Sequence, residues 1–350
     1  MKMLYIGPLN EGGTCLDRMR ALQDLGVEIV PFDILRFDSP LRIVNSLAHR
    51  LGAGPPVWGL NRSLAERAAA LDAGLDVAYV DKGVWIGSET LRAIRRATGA
   101  VLVHFTPDPA LLFHSTRHFL RSLPLYDLCV TTKPWEVELY RRHGARRVYL
   151  THQAFERARF APGPADPLLA SDVLFVGHYE PAYAAPVRVA VETGARVKVW
   201  GRGWPRYARL HRWAGRAVQG DGIWRDDYAR AIRSAAIGLG LLSKCVPETS
   251  TTRSFEIPAC GTFLLGERTD EHSGFFSEGS EAEFFGSKDE LRRKITYYLE
   301  RPDERRRVAA AGRERALRSG YSNHDRMRDV VREISEIAGE RAARPARPDA

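Results

Sequence analysis

Two glutamates, Glu248 and Glu256, are separated by seven residues within the segment 236–267, AIGLGLLSKCVPETSTTRSFEIPACGTFLLGE. Between them lie Thr251, Thr252 and Arg253. A guanidinium grips phosphate oxygens through two parallel donors, and backbone N–H groups at a helix start favour the same anion. A carboxylate on that helix suits a ribose diol, and one on the loop before it suits a sugar ring. The set reads as a place for a phosphorylated, hydroxyl-rich ligand. The same residues would equally make a plain helix start, with Thr251 or Thr252 as N-cap and both glutamates solvated.

The flanking pattern supplies the elements that hold these residues. Ala236 to Leu242 is an apolar run of the kind that forms a buried parallel strand. Ser243 to Thr252 is a hydroxyl-rich loop, Arg253 to Cys260 a short helix, and Gly261 its exit. Thr262 to Leu265 returns as the next strand. The loop thus follows the carboxyl end of a strand, where open α/β sheets bind ligands.

The words TRSFEIPACGTFLLGERTDEH and, later, EAEFFGS followed by a helical tail resemble the nucleotide-sugar site of GT-B glycosyltransferases, and among them the CgeB-like (spore-maturation type) family. The Glu–seven–Glu spacing is similar to a motif of the retaining enzymes. The resemblance implies an α/β GT-B fold: two Rossmann-like doubly wound domains facing an interdomain cleft, with a C-terminal helix crossing back to the first. It implies transfer of a sugar from a nucleotide-diphosphate sugar, UDP-sugar favoured, to an acceptor hydroxyl with retained anomeric configuration. The nucleotide sugar is then a co-substrate, and no metal or other cofactor is expected. By the same resemblance Glu256 binds the ribose, Arg253 the diphosphate, and Glu248 orients the donor sugar. Where the family usually has an arginine after the first strand of the donor domain, this chain has His178, with no lysine close behind. That departure leaves Arg202, Lys244 and Arg253 as the available cations.

Taken in order, MLYIGP, VEIVPFD, DVAYVDKG, AVLVHFTPDP, YDLCVTTK and VYLTHQAF alternate with helical segments, which predicts a doubly wound parallel sheet. Gly12 and Gly13 fall at the first strand-to-helix turn, either as a close approach to the donor phosphates or as a plain tight turn. Residues 38–73 read as a mostly helical insertion broken at GAGPP, whose Leu41, Ile43, Leu47 and Trp58 are either an acceptor wall or core. His104 and Asp108 are expected where a strand gives way to a proline-rich loop, facing the acceptor; histidine there suits proton transfer. The alternative for His104 is a loop residue bonded to the backbone. APGPADPLLAS, residues 161–171, is the best candidate linker. The expected divisions are an acceptor-side domain over 1–165, a donor domain over 166–320, a crossover helix over 321–338 and a disordered tail over 339–350.

The whole chain narrows the alternatives. Its 350 residues, 44% apolar, suit two cores. The net charge of +9 accompanies no nucleic-acid motif, so no nucleic-acid partner is expected; weak peripheral contact with anionic lipid is compatible with it. Four scattered cysteines, no apolar run of about 20 residues and no signal peptide point to the cytoplasm. A nucleotide-sugar epimerase of similar fold and a non-catalytic binding protein fit the same features. A dinucleotide-dependent dehydrogenase fits poorly, because the G-x-G-x-x-G pattern is absent.

Overall fold

The computed structural model describes residues 1–71, 74–113 and 115–343. They form two compact units, Met1–His152 with Asn323 onward, and Gln153–Ser322. The division falls before the proline-rich stretch 161–171, which lies wholly in the second unit.

The first unit is built on a six-stranded parallel sheet. Its strands are β1 (Lys2–Gly7), β2 (Glu28–Asp33), β3 (Val77–Asp81), β4 (Val101–Thr106), β5 (Leu128–Thr131) and β6 (Val148–Leu150), in spatial order β2-β1-β3-β4-β5-β6. The central strands are buried on both faces, which is why their sequences are nearly continuous apolar runs. Leu60, Leu64, Leu91 and Ile94 cover one face from the helices Pro55–Ala69 and Ser88–Thr98. The helices Thr14–Asp24 and Asn323–Ala342 cover the other.

The second unit repeats the plan with β7 (Ser171–Val176), β8 (Val197–Trp200), β9 (Val218–Gly220), β10 (Ala235–Gly240), β11 (Phe263–Glu267) and β12 (Glu283–Phe285). Their order is β12-β11-β10-β7-β8-β9, all parallel. From β7 the chain winds to β8 and β9 on one side, then crosses to β10, β11 and β12 on the other. The winding reverses between β7 and β10. In the first unit it reverses between β1 and β3.

The last helix returns to the first unit, as expected, with Met327, Val330, Ile334 and Ile337 at helical spacing against its core. It runs to Ala342, so residues 339–342 are helical and not part of a disordered tail. Arg147 pairs with Glu340 at 3.2 Å and Arg341 with the buried Asp127 at 2.5 Å, which anchors the final turn. The rest of the expected tail, 344–350, lies outside the described residues. Among those described, no helix is long and apolar enough to cross a membrane.

Candidate functional site

The reversal between β7 and β10 makes a topological switch point, and open α/β sheets bind ligands beyond the carboxyl ends of the strands at such a point. The loops leaving these two strands carry most of the residues singled out above. Arg253, at the start of the helix Arg253–Ala259, ties them together: its Nη1 donates to the Val176 carbonyl at 3.3 Å and its Nη2 to the Leu241 carbonyl at 2.8 Å. Its guanidinium also lies over the Phe175 ring, 5.4 Å from the centroid. Both terminal nitrogens are thus engaged on strand-end carbonyls. Each terminal nitrogen keeps a second N–H beyond these bonds, and the positive charge sits at the switch point.

Glu180, which the sequence reading passed over, is the buried acceptor of this site. Its carboxylate takes the Ser243 hydroxyl at 2.8 Å and the Lys244 N–H at 3.3 Å, and lies 3.0 Å from His178 Nε2. One side chain therefore joins the loop after β7 to the loop after β10. Glu248 closes the second loop on itself, its Oε2 accepting the Ser243 N–H at 3.1 Å. Lys244 reaches Glu267 at the end of β11 through its Nζ at 2.5 Å, and His178 is exposed.

Glu256 lies in the first turn of the helix, 6% exposed, and accepts the Tyr228 hydroxyl at 2.7 Å. Thr252 precedes the helix without a side-chain cap, so the alternative of a plain threonine N-cap does not hold at that position. The cause is a different local lock. The Thr251 N–H donates to Ser254 Oγ at 3.1 Å, and the Ser254 N–H donates to the Thr251 carbonyl at 3.1 Å. These two N–H groups are consumed inside the loop and do not point outward as expected. Thr251 itself is buried.

The lock continues into the strand behind it. Ser254 Oγ lies 2.7 Å from His272 Nε2, and His272 Nδ1 lies 2.6 Å from the Glu267 carbonyl. A carbonyl only accepts, so Nδ1 carries the proton and Nε2 accepts from the serine. Burial holds the His272 pKa below its ordinary value, although the bond to the Glu267 carbonyl opposes this. Neutral imidazole is the form that this chain of bonds needs.

Arg202 is exposed on the loop after β8. Its neighbour Gly201 has φ +155°, and a Cβ there would stand 1.8 Å from the Gly177 carbonyl oxygen. Only glycine lets the loops after β7 and β8 approach so closely.

The remaining candidates belong to the first unit. Gly12 (φ +79°) and Gly13 form the β1-to-helix turn beside that unit's own switch point, where a Cβ on Gly13 would meet the Asn10 side chain. The loop after β3 faces it. There Lys82, a non-glycine residue at φ +61°, pairs with Asp108 at 2.7 Å. Desolvation pushes the Asp108 carboxyl up, but Lys82, Arg18 and Lys133 together outweigh it and hold the pKa below its ordinary value. Lys82 and Asp108 line a cavity of about 260 Å³ together with His49, Trp85 and Thr106. Behind it the buried Asp81 takes Arg18 through two bonds, 2.8 and 2.9 Å, and the Tyr5 hydroxyl at 2.5 Å.

His104 requires correction. The strand β4 extends to Thr106, so His104 is not at its edge but inside the core, fully buried among Phe119, Tyr126 and Tyr140. Neither ring nitrogen has a hydrogen-bond partner among the described residues. Burial lowers its pKa to about 4, so the ring is neutral near pH 7. It is a packing residue. Asp226 and Asp227 lie in the first turn of the helix Arg225–Arg233, where negative charge is favoured.

Among the described residues no cluster of three or more histidine, cysteine or acidic side chains has metal-binding geometry. The second unit thus gathers hydrogen-bonded loops, a half-buried cation and carboxylates at a switch point. Such a site can hold a polyhydroxylated anion and stabilise charge that develops on it.

Two parallel six-stranded sheets of this topology, with the terminal helix packed on the first, define the GT-B glycosyltransferase fold, and solved structures agree. The chain superposes with a TM-score of 0.62 on Anabaena Alr3699/HepE in complex with UDP and glucose, at 14% identity over 96% of this chain and 100% of that one. It superposes at 0.63 on the alpha,alpha-trehalose 6-phosphate synthase of Burkholderia multivorans, at 13% identity over 97% and 99% of the two chains. The sucrose-phosphate synthase of Thermosynechococcus elongatus gives 0.62, with 15% identity over 96% and 99%. Identities this low establish the fold. Residues 184–332, which include the Glu248–Glu256 loop, match the family model described as glycosyl transferase-like. A comparison with curated proteins gives no match.

Proposed function

We propose that the chain is a glycosyltransferase that moves a sugar from a nucleotide-diphosphate sugar, UDP-sugar favoured, to an acceptor hydroxyl. The observation that carries this reading is the pair Glu248 and Glu256, held on the loop and first helical turn that leave β10 at the second unit's switch point. The glycosyl transferase-like match over 184–332 and the UDP and glucose bound by the HepE relative support it.

In this reading Glu256, braced by Tyr228, takes the ribose hydroxyls, and Glu248 orients the donor sugar. Breaking the bond to the anomeric carbon leaves positive charge on the ring and negative charge on the departing diphosphate. Arg253 supplies a fixed positive field at the switch point, while Lys244 and Arg202 are the cations on adjoining loops; these preorganised charges stabilise the leaving group. Asp108 and Lys82, in the cavity of the first unit, are the polar groups proposed to meet the acceptor. The Glu–seven–Glu spacing favours retention, with the leaving phosphate taking the acceptor's proton.

The test is product analysis by NMR with the donor identified by binding, comparing wild type with Glu248→Gln. A product of retained configuration, formed at least about a hundredfold more slowly by the variant, supports the reading. An inverted product removes retention. Donor conversion without an acceptor would mark an epimerase instead.

A further inference from the structure

The helix Arg42–Leu51 faces the wrong way for a globular protein. A surface helix normally turns its apolar stripe inward, yet in this one only Ala48 is buried. Ile43, Leu47 and Leu51, four residues apart and hence along one line of the helix, are 69%, 50% and 64% exposed. Trp58, in the next helix, is 65% exposed. A contiguous row of large apolar side chains in water marks a contact surface.

Charge tells what covers it. Residues 39–65 contain no aspartate or glutamate, and they carry Arg42, Arg50 and Arg62. Gly52, which ends the apolar helix, packs against Thr116 and His118, so the exposed Arg117 and Arg121 belong to the same neighbourhood. Arg42, Arg50, Arg117 and Arg121 make no ion pair among the described residues. We propose that this face docks on an anionic lipid bilayer, with the Ile43–Leu47–Leu51 row entering the headgroup layer and the arginines meeting lipid phosphates. A second copy of the chain is a poor occupant, because a two-fold contact would set these arginines against one another. The same helix carries His49, which packs at a tilt against Trp85 with ring centroids 4.5 Å apart and lines the first unit's cavity. Docking would therefore place one wall of that cavity at the membrane surface.

The test is co-sedimentation of the full chain with vesicles of phosphatidylcholine alone and of phosphatidylcholine with phosphatidylglycerol. The protein should pellet at least about tenfold more strongly with the anionic vesicles, and less at high salt. Ile43→Glu with Leu47→Glu should cut that partition by about tenfold or more, and Arg42→Glu with Arg50→Glu should remove its salt dependence. Because all four side chains are exposed, circular dichroism and melting temperature should not change. Protein that stays in the supernatant with anionic vesicles overturns the proposal, as does equal binding by the Glu variants. So does a dimer in solution that the Leu47→Glu change dissociates.

Discussion

The Ser254 hydroxyl lies 2.7 Å from His272 Nε2, and through this bond the loop bearing Thr251 is fastened to the end of β11. The Glu248–Glu256 segment is thus a braced turn whose shape depends on a neutral histidine in the helix Asp270–Phe275 that follows β11.

Replacing that histidine should loosen the brace without touching ligand. His272→Ala leaves the Glu267 carbonyl and the Ser254 hydroxyl without their buried partner, at a cost of roughly 1–3 kcal/mol. Urea denaturation checks the stability. Nucleotide affinity should fall as well, because Thr251 to Glu256 lose their fixed geometry; an unchanged midpoint would show that the bond carries nothing.

Gly201→Ala is a sharper probe of the β7–β8 edge. With φ +155° and the Gly177 oxygen 1.8 Å from the new Cβ, the two loops must separate. A destabilisation of about 2–4 kcal/mol is expected, several times the usual effect of a glycine-to-alanine change on a surface loop. Thermal melting against Gly194→Ala, which meets no atom within 4 Å but shares a positive φ, separates collision from backbone strain.

His104 sets a pH dependence. Burial keeps its folded pKa near 4, while the unfolded chain titrates near the ordinary histidine value, about 6.5. Between these values the unfolded state binds the extra proton, so stability falls as pH drops from about 6.5 to 4, by up to about 3 kcal/mol. His104→Gln, which does not titrate, should flatten that part of the curve in urea midpoints measured from pH 7.5 to 4.5. Its own lower stability at neutral pH is a separate, constant offset. Parallel wild-type and variant curves would contradict the assignment.

The alternation of apolar runs and helical segments gave away the first sheet, and the apolar runs flanking the Glu248 loop gave away β10 and β11 of the second, because parallel strands buried on two faces cannot hide their composition. The Glu248 loop was legible for the same reason: it follows such a run. What escaped was three-dimensional. Glu180 sits two residues beyond His178 in a stretch whose strand end was recognised, yet nothing local announces that it will be buried against Ser243. Lys82 likewise follows a recognised strand, and only the fold brings it to Asp108. His104 misled because a polar residue in an apolar run suggests an edge, whereas one more turn of strand kept it in the aromatic core. The bonds from Arg253 to the Val176 and Leu241 carbonyls were not legible either, since strand-end carbonyls carry no sequence signature.

The central claim, that the second unit holds a nucleotide-diphosphate sugar against Glu256, is tested most directly by ligand-observed NMR. UDP, GDP, dTDP and their sugars would be screened against wild type and Glu256→Ala. The account predicts selective binding of one nucleotide, UDP favoured, weakened about tenfold or more by the substitution. Folded wild-type protein that binds none of them, or a variant that binds as tightly, would contradict it.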